Sequence, residues 1–249
     1  MFTTDERDRV RAHVLDLSAR DGRVVAGADV GGLVDGGDRW SDLDLSFAAA
    51  DGVPLSDPLR DWTSELTHSF GAVHLFDVPS GATIYRVFLL PSCLQVDISF
   101  TAASDFGARG PRFRLLFGSA LELAHADPPR AADLFGEAVH HAVRARVCIE
   151  RERYWQAEHW ISAIRDNALA LACSRRGLNT SQGRGFDDLP PEVLAQARGA
   201  LVTSLTRTGL LDALAASVRG LLAEATDVRD MATKLELQLA ELTSPSPLM

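Results

Sequence analysis

The mixed strand and helix patterning of the chain ends at the HADPPR stretch of residues 125–130, beyond which everything reads as helical, and that change constrains the fold before any motif is considered. Upstream, apolar residues come in short β-rich runs punctuated by Gly, Pro and Ser. Downstream they recur at three- and four-residue spacing, and Ala131 to Leu171 contains no proline. Pro128 and Pro129 each lack a backbone donor and have a fixed φ, so regular structure stops there. The expected fold class is α+β: a mixed or antiparallel sheet in a first domain over 1–124, then a helical bundle over 130–243. Residues 244–249 read as a frayed tail.

Within the first half, Thr4 is placed to cap a helix over about 4–19, in which Val10, Val14 and Leu17 share helical spacing. Arg23–Val30 reads as a strand that stops at Gly31-Gly32, and Leu43–Phe47 continues as a strand after GGDRWS. Asp57–Phe70 places Leu59, Trp62, Leu66 and Phe70 on one helical face, and Gly71 is positioned to end it. Strands follow over 72–78, 83–90 and 93–100. In the second half, helices are expected over 131–171, 191–206, 210–222 and 228–242.

Composition narrows the function classes. With 46% apolar and 24% charged residues, the chain reads as globular rather than disordered. A formal charge of −9 works against non-specific binding of nucleic acid, so small molecules or proteins are the expected partners. No apolar run reaches membrane-spanning length and the start, MFTTDERDRVR, is charged, so no membrane association and a cytoplasmic location are expected. Cys93, Cys148 and Cys173 have no CxxC or Cys/His spacing and read as buried thiols.

The chemistry concentrates in three aspartates. Side chains alternate along a strand, so Asp42, Asp44 and Ser46 share one face while Leu43, Leu45 and Phe47 share the other. Gln95, Asp97 and Ser99 alternate in the same way against Leu94, Val96 and Ile98. If the two strands are neighbours, three carboxylates converge, and their repulsion is relieved by a hard cation such as Mg²⁺. Two such ions activate a hydroxyl and stabilise a leaving pyrophosphate during in-line displacement at phosphorus. Gly31 and Gly32 lack a Cβ, so backbone N–H groups there can approach a triphosphate. An Asp-x-Asp pair alone is more often a solvated sheet face; the weight lies in its conjunction with Gly-Gly and a third acid.

These pieces, V-G-G at 30–32, S-D-L-D-L at 41–45 and V-D-I at 96–98, resemble the nucleotidyltransferase superfamily related to DNA polymerase β. GGDRWSDLDLSF looks especially like the bacterial antibiotic (aminoglycoside or lincosamide) nucleotidyltransferase-like proteins, with a catalytic domain followed by a helical bundle. The resemblance implies that Asp42, Asp44 and Asp97 bind metal, with Asp97 also a candidate to deprotonate the acceptor, and that Gly31, Gly32 and Ser41 lie by the triphosphate. It implies Mg²⁺ and ATP, or another nucleoside triphosphate, transfer of AMP to a small-molecule hydroxyl with aminoglycoside-like acceptors at the head of the list, and a monomer or homodimer. Many relatives carry Ser at the place of Gly32 and a basic residue in the turn, where this chain reads Gly32-Leu33-Val34-Asp35-Gly36.

Arg109, Arg112 and Arg114 follow the third acid and offer donor forks for phosphate, Arg112 being taken as the nucleotide contact. On the helix over 150–167, Trp155, Glu158, Ser162 and Arg165 form one stripe and Glu152, Gln156, His159 and Asp166 the next. Related enzymes take acceptor contacts and sometimes a carboxylate base from the helical domain, which makes Glu158 a candidate catalytic base. The bland alternative puts Tyr154, Trp155 and Trp160 in the core with the charges in i,i+4 pairs; His140-His141 reads as a helix-surface pair. Two other functional readings stand beside transfer: a toxin–antitoxin type nucleotidyltransferase acting on a helical partner, and a nucleotide-binding homologue without catalysis.

Overall fold

The computed structural model describes residues 1–124 and 127–245; His125 and Ala126, where the expected break begins, and 246–249 of the expected tail lie outside them. The chain divides into two compact units, Met1–Ala126 and Asp127–Met249. The first is a mixed sheet with helices and the second is helical, an α+β chain.

In the first unit, helix α1 (Thr4–Arg20) precedes β1 (Val24–Val30) and β2 (Leu43–Ala49). Helix α2 (Ser56–Phe70) follows, then β3 (Val73–Ser80), β4 (Thr83–Leu89) and β5 (Gln95–Ala102). The short β6 (Gly107–Ala108) and β8 (Leu121–Glu122) pair with each other in parallel, while β7 (Phe113–Phe117) closes one edge of the main sheet. The order is β3-β4-β5-β2-β1-β7, with β2 and β5 parallel and the other neighbours antiparallel.

One face of this sheet is apolar because the leucines of β2 and the branched and aromatic residues of β5 alternate onto it. Leu43, Leu45, Phe47, Val96, Ile98 and Phe100 are all buried there with Val10 and Val14 of α1 and Leu59, Trp62 and Leu66 of α2. Trp62 meets Phe47 and Phe100 edge-on, each at 4.9 Å between ring centroids, and its indole N–H donates to Asp21 Oδ2 at 2.9 Å. The opposite face carries the polar half of the alternation. Helix α1 starts at Thr4 as expected, but its cap is Thr3, which accepts from the Glu6 N–H at 3.2 Å, and Thr4 lies in the first turn.

Strand β7 went unread in the sequence. Its pairing with β1 places Arg114 opposite Asp29, a fully buried carboxylate held by Arg11 from α1 at 2.9 and 2.8 Å and by Arg114 at 3.2 and 2.6 Å. Burial alone would raise the Asp29 pKa; the bonds to Arg11 and Arg114 more than offset it and leave the carboxyl below its ordinary value. Arg114 is thereby committed to the sheet and leaves the list of phosphate contacts. Cys93 also departs from expectation: it is exposed, at φ +64° in the turn between β4 and β5, whereas Cys148 and Cys173 are buried.

The second unit holds α3 (Ala131–Glu150), α4 (Tyr154–Ser174), α5 (Pro191–Arg198), α6 (Arg207–Glu224) and α7 (Arg229–Thr243). The expected single helical run over 131–171 is broken at 151–153, where Glu152 adopts φ +56°. An unbroken helix of that length would extend about 60 Å. Folding it back buries Ala138, Ala142 and Ala145 of α3 with Ala157, Ile161 and Ile164 of α4 in one core. Helix α5 ends at Arg198 rather than near 206, with Gly199 as its cap. Ser244 and Pro245, expected to fray, are held through their carbonyls by Arg146 and Arg207, and Glu150 bridges both arginines at 2.8 Å. Among the described residues, no helix is long and apolar enough to cross a membrane.

Asp29→Asn should lower unfolding free energy by roughly 1–3 kcal/mol at pH 7, less than for a wholly buried pair because both arginines keep access to water. A depressed folded pKa contributes stability that is present above the unfolded value of 3.8 and lost as pH falls through the folded value. Urea melts of the two proteins should therefore differ at pH 7 and converge as pH falls below the depressed folded value.

Candidate active site

The parallel pairing of β2 with β5 brings Asp44 level with Asp97 and Ser46 level with Ser99. Adjacent strands lie about 4.8 Å apart, so residues in register on one face are direct neighbours. The Ser99 hydroxyl donates to Ser46 Oγ at 2.8 Å, which fixes the two strands' polar faces against each other one step beyond the acids. Asp44 and Asp97 are half-buried while Leu43, Leu45, Val96 and Ile98 on either side of them along the strands are fully buried, the alternation expected from sequence. Asp42 sits just before β2 rather than within it, yet remains electrostatically joined to the site. Burial first, and the charge of Asp42 second, raise the Asp97 pKa against an opposing hydrogen bond from Gln95 at 3.1 Å.

Gly31 has a more specific role than the expected approach to phosphate. It stands at φ +71°, and a Cβ added there would meet the Asp44 carboxylate. Its N–H donates to the Arg112 carbonyl at 3.2 Å, so that donor is already used to join the end of β1 to the segment before β7. Gly32 lies in the 3-10 turn Gly31–Asp35, and a Cβ at Gly32 would stand 3.3 Å from Ser41 Oγ. The Ser41 hydroxyl is engaged as well: it accepts from the Asp38 N–H at 2.9 Å and donates to Asp38 Oδ1 at 3.1 Å. Its donor is spent on bracing the loop.

A residue that sequence reasoning missed holds this loop from below. Arg7, almost fully buried on α1, donates to the carbonyls of Asp38 at 2.7 Å and Ser41 at 3.0 Å. The signal was present: Arg7 falls on the same helical stripe as Val10 and Val14, where a charge needs partners to be buried.

The first unit thus gathers Gly31, Gly32, Ser41, Asp42, Asp44 and Asp97, with the backbone of Arg112 bonded to Gly31 and its side chain exposed. Arg109 and Arg112 line a cavity over the polar face of the sheet. Among the described residues, no three Asp, Glu, His or Cys side chains are grouped so that they could together hold a metal ion. The donor chemistry still fits a hard divalent cation, because Asp97 is destabilised as an anion by burial and then by Asp42, and the Asp44 carboxylate occupies space kept clear by Gly31. Glu158 belongs to the second unit, half-buried on α4 and accepting from the Ser162 hydroxyl at 2.8 Å. On the same helix Trp155 is 78% exposed, while Tyr154 and Trp160 pack against the core. Arg165 bonds Asp166, and His141 packs against Trp160 with 5.0 Å between centroids.

Gly31→Ala should destabilise the protein by more than Gly36→Ala. Both sites have positive φ and incur about 1–2 kcal/mol of backbone strain, but only at Gly31 does the added methyl group meet Asp44, whereas at Gly36 it meets open space. Equal losses in urea melts would contradict the close approach of Asp44 to Gly31.

No protein-family model matches this chain, and no curated protein matches it either. Among solved structures, an aminoglycoside 6-adenyltransferase from Bacillus subtilis is similar over 97% of this chain and 99% of that one, at 14% identity and a TM-score of 0.39, a likeness too distant to carry an argument.

Proposed function

We propose that the first unit is a magnesium-dependent nucleotidyl-transfer centre that moves a nucleoside monophosphate, AMP from ATP, onto a hydroxyl of a small molecule. The observation that supports this most is the register of β2 against β5, which aligns Asp44 with Asp97 while the Asp42 charge acts on Asp97. Asp42, Asp44 and Asp97 are the residues that would hold Mg²⁺, which when bound offsets the charge of the triphosphate and activates the attacking oxygen.

The remaining work falls to the chain's own groups. Gly31 keeps clear the space that the Asp44 carboxylate occupies. Gly32 sits in the first turn of its 3-10 segment, where backbone donors lack partners within the helix, and this suits a phosphate. Arg112, whose carbonyl is tied to Gly31, is the cationic fork for that end of the nucleotide. Asp97, level with Asp44 on the polar face, is also the proposed proton acceptor. As the acceptor oxygen forms its bond to the α-phosphorus, the bond to pyrophosphate breaks and the acceptor proton passes to the carboxylate.

A second reading, nucleotide binding without turnover, rests on Gly32 and Asp35, which stand where many relatives carry Ser and a basic residue in the turn. Substitution separates the two. Asp42→Asn and Asp44→Asn should each cut pyrophosphate release by about 100-fold or more while thermal melts stay near wild type. Undiminished turnover in either variant would contradict the assignment of these carboxylates. Mg-ATP binding in calorimetry, without turnover on any of a broad panel of hydroxyl acceptors, would favour the binding-only reading.

A further inference from the structure

Beyond its acids, the polar face of the sheet continues as a field of hydroxyls. One step past Asp44 and Asp97 lies the Ser46–Ser99 pair, and a further step along is Thr101, whose hydroxyl is 2.7 Å from that of Thr83 on β4. Tyr85 pairs with Ser99 across β4 and β5 and therefore shares the face. The segment after β5 folds over the β1 and β2 side of the same face: Phe106 is buried with Ala26, Ala28 and Ala48, and stands 5.7 Å from Phe113 between ring centroids. Between this cover and the hydroxyl rows is a cavity of about 160 Å³ lined by Ser46, Thr83, Tyr85 and Thr101 on the sheet. Arg109 and Arg112 line it as well, against a single acid, Asp105.

We infer that this cavity is the acceptor subsite, and that it takes a small polyhydroxylated molecule bearing a carboxylate or phosphate. The inference rests on the nucleotidyl-transfer reading and narrows it. The volume is more than tenfold what one water requires, so a ring-sized ligand fits. Four hydroxyl side chains offer donors and acceptors that match a polyol and can rotate to suit it. Arg109, exposed at the wall, supplies the charge-assisted contact for the anionic group, leaving Arg112 to the nucleotide. The reactive hydroxyl then faces the Asp44–Asp97 row, which lies one residue pair from Ser46 and Ser99. Arg109 on this wall favours an anionic substituent over a polycation, so the aminoglycoside-like acceptor suggested by sequence resemblance is not the ligand this wall selects.

Calorimetry of the full chain tests this with four acceptor probes, namely a hexose 6-phosphate, a hexuronate, the neutral hexose and an aminoglycoside, and with Mg-ATP titrated separately. At least one anionic sugar should bind more tightly than the neutral hexose and the aminoglycoside. Arg109→Ala should weaken that binding about tenfold or more and leave the Mg-ATP affinity unchanged. The double variant Thr83→Val with Thr101→Val removes both partners of one hydroxyl pair without orphaning either; it should melt near wild type and bind the same probe less tightly. The inference is overturned if neither anionic probe binds, if the aminoglycoside binds best, if Arg109→Ala leaves probe binding intact, or if that variant loses Mg-ATP. Anionic-sugar binding that depends on Arg109 in a chain that does not bind Mg-ATP would support the pocket and contradict the transfer reading alone.

Discussion

The parallel pairing of β2 with β5 is the constraint on which the rest of the first unit depends. Because side chains alternate and the two strands are in register, one pairing decides both faces at once: Leu45 with Ile98 and Phe47 with Phe100 below, Asp44 with Asp97 and Ser46 with Ser99 above. A slip of one residue would turn leucines to water and acids into the core, so the hydrophobic effect that docks α1 and α2 also fixes the carboxylates in place. The positions of the acids are a by-product of core packing, and need no separate device to hold them on the sheet.

Two aspartates in the same unit show how environment separates structure from chemistry. Asp29 points to the helical side, is fully buried, and is neutralised by Arg11 and Arg114 through four short contacts. Asp97 points to the other side, half-buried, where burial and the charge of Asp42 outweigh the hydrogen bond from Gln95, so its ionised form is disfavoured. A carboxylate whose charge is already balanced has nothing left to bind. One whose charge is opposed by its surroundings stands ready for a cation or a proton.

Much of this was legible in the sequence because it depends on period. The alternation around Asp44 and Asp97, the Gly71 cap and the shift to helical spacing all follow from local chemistry. What sequence could not supply was pairing. That FRLLF would add an edge strand beside β1, turning Arg114 toward Asp29, depends on contacts 85 residues apart. The hairpin at Glu152 was hidden because a run of alanines reads as one helix whether or not it folds back on itself. Gly31 and Ser41 each have backbone or loop work visible only in three dimensions, Gly31 as room for Asp44 and Ser41 as a brace for Asp38. Arg7 was overlooked because helix stripes are scored by their apolar members.

The most direct measurement is a crystal structure of the full chain with Mg²⁺ and a non-hydrolysable ATP analogue. Metal density contacting Asp42, Asp44 and Asp97, with the triphosphate against the Gly32 turn, is the predicted result. A nucleotide bound elsewhere, or metal that touches none of the three carboxylates, would contradict the account.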